Sequence, residues 1–331
     1  MTRRFSYPLL LLLTGALNAF ATSQEIIQRH LDATPGGKLV VDVDFGTVEV
    51  TGDTDGKTVA IKAHRIVEIA DKAREKEFVE AAPITITQEN NVITIRARSN
   101  RQWRWQDAHT RTDARYAVQV PKNFNADLHT GGGQITASDI SGDLRANTAG
   151  GRLNFARIHG PMDAKTAGGA VKLAECDGTI KIRTSGGQIE AVSGKGSLDA
   201  QTAGGQVSVR DFAGRVDIAS NGGQLNLNDV DGPLNAKTGG GAIHATMTTV
   251  SDVNLETSAG EIAVAIPANG GFNIDAESSV GAVTTDLPIA TQRKDRDTLI
   301  GALNGGGKPL YLRTSAGSIS IRAAGSEKAS R

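Results

Sequence analysis

The stretch "TAGGQV", Thr202–Val207, decides the fold, because it does not occur once. "TAGGRL" begins at Thr148, "TAGGAV" at Thr166, "TSGGQI" at Thr184 and "SNGGQL" at Ser220. With Thr130 and Thr238 the series reaches seven members, each 18 residues from the last. Looser echoes follow at Thr257, Ser278 and Thr314. A self-repeat of this regularity marks a stacked architecture in which each unit covers its neighbour.

Within a unit the apolar side chains alternate with period two, as strands require. In "GPMDAKTAGGAVKL" the set is Met162, Ala164, Thr166, then Val171 and Leu173. The next unit repeats it with Ile180, Ile182, Thr184, Ile189 and Ala191, while Lys181, Arg183, Gln188 and Glu190 take the other side. Two strands per 18 residues make one coil of a β-solenoid, with coils pairing in parallel about 4.8 Å apart. Leu144, Met162, Ile180, Leu198, Val216 and Leu234 then stack as one apolar column, and Ile135, Leu153, Val171, Ile189, Val207, Leu225 and Ile243 as another.

The corners are expected at the Gly pairs: Gly132 and Gly133, Gly150 and Gly151, Gly168 and Gly169, Gly186 and Gly187, Gly204 and Gly205, Gly222 and Gly223, Gly240 and Gly241. Lack of Cβ there permits positive φ and close stacking of turns. The Thr ahead of each pair can satisfy backbone groups through its hydroxyl. A second corner is read in "SDISG", "RIHG", "ECDG", "DFAG" and "DVDG". No turn carries the Gly-Lys-Ser/Thr of a P-loop, and the G-G-x-G-x-D of a calcium-binding roll is missing.

Composition narrows the function classes. The 331 residues include 36 basic and 36 acidic side chains, so no charge bias points to nucleic acid or an anionic membrane. Glycine is abundant at 39 and proline sparse at 9, which excludes collagen. Residues 1–21 read as a signal peptide: "MTRR", the apolar run Leu9–Leu17, and "AFA" ending at Ala21. That predicts an exported chain, in the periplasm or at the cell surface, with no transmembrane segment after cleavage. Arg3-Arg4 raises twin-arginine export, but ordinary secretion fits the remainder better. Cys176 is the only cysteine, so the chain forms no internal disulfide.

The expected organisation is all-β: residues 22–128 as a β-rich cap, 129–323 as the solenoid, and 324–331 as a disordered polar tail. One short helix is expected at about 71–82, with Ala73, Phe78 and Ala81 as its apolar surface. "ITITQENNVITIRAR" reads as a hairpin turning at Asn90-Asn91. The final strands, "LYLRT" and "SISIRA", are expected to resume the repeat after an interruption at "RKDRDTLIGALNGGGKPL".

At this point the residues carry a resemblance. "VDVDFGTVEVTG" from Val41, "VQVPKN" from Val118, the T-x-G-G coils and "LNGGGKPLYLRTSAGSISI" from Leu303 resemble the bacterial putative-adhesin family, also called the toastrack domain. The resemblance covers Gly36 to Arg322 and implies a one-domain, mainly parallel β-solenoid at the cell envelope. It brings no catalytic residues.

The sequence offers few candidate sites. Arg101, Trp103, Arg104 and Trp105 form an aromatic and basic cluster suited to a sugar or protein partner; the competing role for a Trp there is covering the solenoid. Gln134, Gln188, Gln206 and Gln224 share an outward column that could form an amide ladder. The corner column Asp139, Arg157, Glu175, Ser193, Asp211 and Asp229 mixes signs, unlike the grouped acids and bases of a β-helix lyase. Cys176 reads as a buried, inert thiol. His30, His64, His109, His129, His159 and His244 lack metal-ligand spacing, and no metal or cofactor is expected. The functional expectation is a non-catalytic exported protein binding an envelope protein or surface polysaccharide. The alternatives are a periplasmic accessory of envelope-stress signalling and a polysaccharide-acting enzyme.

Overall fold

A computed structural model describes residues 23–53, 56–99 and 110–325. Among them, 27 strands join into one continuous sheet that folds over into two faces around one main core, with a small separate cluster of Val67, Ile69 and Phe78 under the helix. The first face holds the strand before each Gly pair and the second face the strand after it. Leu144–Thr148, Met162–Thr166 and Asp177–Thr184 stack in parallel on the first face, with Leu144, Met162 and Ile180 in register. Leu153–His159 and Val171–Ala174 stack on the second, with Leu153 on Val171. Both apolar columns are buried, each side chain contributing roughly 1.5–3 kcal/mol of transfer free energy.

The Gly-pair corner works by close approach. A Cβ on Gly151 would lie 1.9 Å from the Gly133 carbonyl oxygen, and one on Gly205 would lie 1.9 Å from that of Gly187. A Cβ on the first Gly of either pair, Gly150 or Gly204, would meet nothing within 4 Å. Each buried Thr links neighbouring coils. Thr148 Oγ1 donates to the Gly133 carbonyl at 2.9 Å and accepts from the Gly151 amide at 3.2 Å. Thr166, Thr184, Thr202 and Thr238 repeat the pattern, satisfying polar backbone groups that packing would otherwise strand.

Left-handed backbone lies elsewhere than the Gly-pair reading expects. Gly204 and Gly205 are not in the positive-φ set; the second corner is. There Asp139, Arg157, Glu175, Ser193, Asp211 and Asp229 have φ between 52° and 61°, and a Gly such as Gly178, at φ 115°, follows. The reason is geometric: the left-handed residue lets the next side chain (Ile140, Ile158, Cys176) turn back into the core. At Gly194 that inward place has no side chain, and the ring of Phe212 from the next coil fills it.

Chain order and stacking order differ at both ends. Gly37–Val43 and Thr47–Asp53, expected as part of a cap, form a full coil. It lies between the coil made by Val92–Ala97 and Thr110–Pro121 and the one made by Phe124–Thr130 and Ile135–Ser141. At the far end, Lys308–Ala316 and Ile319–Ala323 do not extend the stack. They insert between Val253–Ala259 with Ile262–Ile266 on one side and Phe272–Val280 with Val283–Thr285 on the other. Antiparallel strands close the exposed edges: Thr85–Glu89 and Ser23–Asp32 at one end, Ile289–Lys294 and Thr298–Leu303 at the other.

The helix spans Lys72–Ala81, capped by the Asp71 carboxylate, which accepts from the Ala73 and Arg74 amides. It buries Phe78 and Glu75, whereas Ala73, expected on its apolar surface, is exposed. Burial pushes the Glu75 carboxyl upward, but bonds from Lys72, Ser23 and the Ile69 amide outweigh it and hold the group at about 2. Beside it the fully buried Arg65 pairs with Glu25 and donates to the Ala82 carbonyl, tying the first strand to the helix end.

Candidate functional site

The outward residues of a solenoid coil line up in columns, so each face is a ruled surface. On the first face Asp127, Arg145, Asp163, Lys181 and Asp199 follow one another with alternating sign. At about 4.8 Å spacing, like charges would repel, and alternation removes that cost as far as Asp199, which stacks on a second acid, Asp217. Further along, the Asn235 amide donates to Asp217 at 3.3 Å and Asn254 donates to Asn235 at 3.1 Å. These are exposed or half-exposed contacts, each worth little to stability. A wide, open depression lies where Asn147, Lys165, Arg183 and Gln201 meet the Gly-pair corner.

The second face carries shorter side chains. Thr136, Ser138, Ala156, Ala174, Thr246, Ala263 and Ala265 point outward along it. Shallow depressions lie along this face. One is of about 380 Å³, beside Glu49, Thr51, Lys62 and Gln119. The next is of about 330 Å³, beside Thr136, Asn154, Lys172 and Glu190. The last is of about 440 Å³, among Asn226, Asn228, His244, Glu261, Ser320 and Arg322.

That last depression holds a connected polar set. Gln224 Nε2 lies 3.0 Å from Asn226 Oδ1 and 3.4 Å from His244 Nδ1, and His244 Nε2 lies 3.0 Å from Glu261 Oε1. With the amide donating to Nδ1, the ring proton sits on Nε2 and is donated to the carboxylate. Arg322 Nε donates to Ser320 Oγ at 3.1 Å. The inserted final coil creates this arrangement by pairing Ile319–Ala323 with Ile262–Ile266, so that Ser320 stands beside Ala263 and Arg322 beside Ala265.

The sequence-derived candidates fall in several places. Arg101, Trp103, Arg104 and Trp105 lie outside the described residues, as does His109. Nearby Arg98 reaches Asp42 at 3.0 Å and His129 at 2.8 Å on the first face. Of the glutamine column, Gln134 donates to Thr136 and Gln224 to Asn226, so these two amides bond along their own strands. The corner column brings Arg157 onto Asp139 at 2.6 Å, which draws the Asp139 carboxyl below its usual range. Cys176 is buried, and desolvation raises its thiol above the ordinary value. His159 contacts Asp177 at 2.9 Å. Among the described residues, no three His, Cys, Asp or Glu side chains gather as metal ligands, and no helix is long and apolar enough to cross a membrane. Glu261 and Arg322 were not singled out from sequence, because nothing local marks them as neighbours.

Stacked parallel coils with Thr-Gly-Gly corners define a β-solenoid protein. The chain belongs to the Toastrack DUF4097 family, whose model matches residues 47–322. It is similar to a solved putative cell adhesion protein from Clostridium sporogenes ATCC 15579, at 14% identity, covering 92% of this chain and 100% of that one, with a TM-score of 0.24. A putative adhesin from Parabacteroides distasonis ATCC 8503 is 11% identical over 72% of this chain and 97% of that one, with a TM-score of 0.38. A putative lipid binding protein from the same organism is 13% identical over 90% and 96%, with a TM-score of 0.37. Comparison with the curated proteins returns no match.

Proposed function

We propose that the protein is a non-catalytic exported envelope or surface protein that binds an extended polymer or partner along the second face of its solenoid. The observation that carries this reading is the row of shallow depressions on one ruled face. The coils beneath are fixed by their Thr–Gly links, so the face is preorganised and loses little freedom on binding. Export is supported by the charged, apolar and small-residue pattern of residues 1–21. The Arg/Trp segment stays in the proposal as a second contact, supported by its composition.

The test is retention on isolated cell envelopes. Ala156→Arg with Ala174→Arg places two bulky cations across the middle depression, because both alanines point outward there. Retention should fall by at least tenfold, while Gln201→Arg on the opposite face should leave it unchanged. Equal retention of both variants and the wild type would remove the second face from the proposal.

A further inference from the structure

We infer that the depression around His244 is a binding site for a carboxylate-bearing sugar ring of the uronic-acid class. The inference rests on the reading that the second face binds a polymer, and it assigns that polymer's chemistry. Gln224 donates to both Asn226 Oδ1 and His244 Nδ1, and His244 Nε2 meets Glu261 Oε1. The side-chain NH2 of Asn226 and the second oxygen of Glu261 stay outside these bonds. The donor and the acceptor stand two coils apart with His244 between them, and neither turns without breaking the network, so each can meet a different hydroxyl of one ligand.

Arg322 supplies the charge. Its Nε donates to Ser320 Oγ at 3.1 Å, which leaves the two terminal nitrogens outside that bond, and the side chain lines the depression. Among the described residues no ion pair joins Arg322 to a carboxylate. A guanidinium edge takes a carboxylate through two parallel bonds, a geometry that lysine cannot supply. Glu261 lines the same depression, and its charge opposes a dianion such as a phosphate group more than a single carboxylate. The site therefore selects one negative charge together with hydroxyls. Its volume, about 440 Å³, lies in the usual range for small-ligand clefts of roughly 300–1,000 Å³.

The test uses the mature full chain titrated calorimetrically with trigalacturonate, with maltotriose as the neutral comparator. Trigalacturonate should bind and maltotriose should bind at least tenfold more weakly. R322Q should weaken trigalacturonate binding at least tenfold. Arg322 is exposed, and among the described residues its side chain bonds Ser320 alone, so R322Q should melt with the wild type. If it does not, R322K replaces it and should also lose affinity, because it keeps the charge without the fork. No heat with trigalacturonate at millimolar concentration, equal binding of maltotriose, or unchanged affinity in the Arg322 variant would each overturn the assignment. Envelope retention of R322Q separates the two proposals. Wild-type retention without any trigalacturonate binding overturns the sugar assignment and leaves polymer binding by the second face standing.

Discussion

Gly204 and Gly205 are adjacent, both have ordinary φ, and both are glycine, yet Gly→Ala should have opposite consequences at the two. At Gly204 the added methyl meets nothing within 4 Å. At Gly205 it would lie 1.9 Å from the Gly187 oxygen, 2.4 Å from the Gly187 carbonyl carbon and 2.9 Å from the Gln188 nitrogen. These atoms are backbone of the neighbouring coil, so relief requires the coils to separate at the corner. Separation stretches the bond that joins them there, Thr202 Oγ1 to the Gly187 carbonyl at 3.2 Å, and strains the bond from the Gly205 amide to Thr202 Oγ1, at 3.1 Å within its own coil. Two weakened buried bonds cost about 1 kcal/mol each, and the residual overlap brings the sum to about 4 kcal/mol. With an unfolding entropy of about 2.1 cal/mol/K per residue over about 300 residues, that lowers the melting temperature by about 6 °C. Gly204→Ala should stay within about 1 °C of wild type or rise slightly, since a less flexible unfolded chain favours the native state. Differential scanning calorimetry of the two variants decides the matter. Equal melting temperatures would refute the corner as the place where coils touch.

Two further predictions follow from the same packing. Gly194→Ala puts a Cβ 2.5 Å from the Phe212 ring and should cost about 1–3 kcal/mol, but less in a Phe212→Leu background, because the cavity is shared; additive urea midpoints would sink this. The Glu75 carboxyl is held at about 2, below its ordinary 4.5, so its contribution is present in full above pH 4.5 and is lost as pH falls toward 2. The melting-temperature gap between wild type and E75Q should therefore be constant near neutrality and close between pH 4.5 and 2, and a gap independent of pH would count against the buried carboxylate.

The coil was legible in the sequence because its causes are local. Eighteen-residue spacing, period-two alternation and a Gly at the point of contact are properties of one unit and its copy, so they survive reading along the chain. The role of the Thr hydroxyl was legible for the same reason: it bonds the amide three residues on. The placement of positive φ was not, because glycine is selected both for left-handed backbone and for close approach. Only the stacked structure shows that close approach operates at Gly205. The buried Glu75 was invisible because a helix period reads charge as an outward face. The depression at His244 was equally hidden: Ser320 and Arg322 reach it only through the insertion of the final coil. A coil's sequence encodes an apolar inside and two pairing edges, and any coil of the stack can satisfy either edge. Which coils become neighbours at the ends shows only in the tertiary structure, where Lys308–Ala316 pairs in parallel with both Val253–Ala259 and Phe272–Val280 and an antiparallel strand closes the edge beyond.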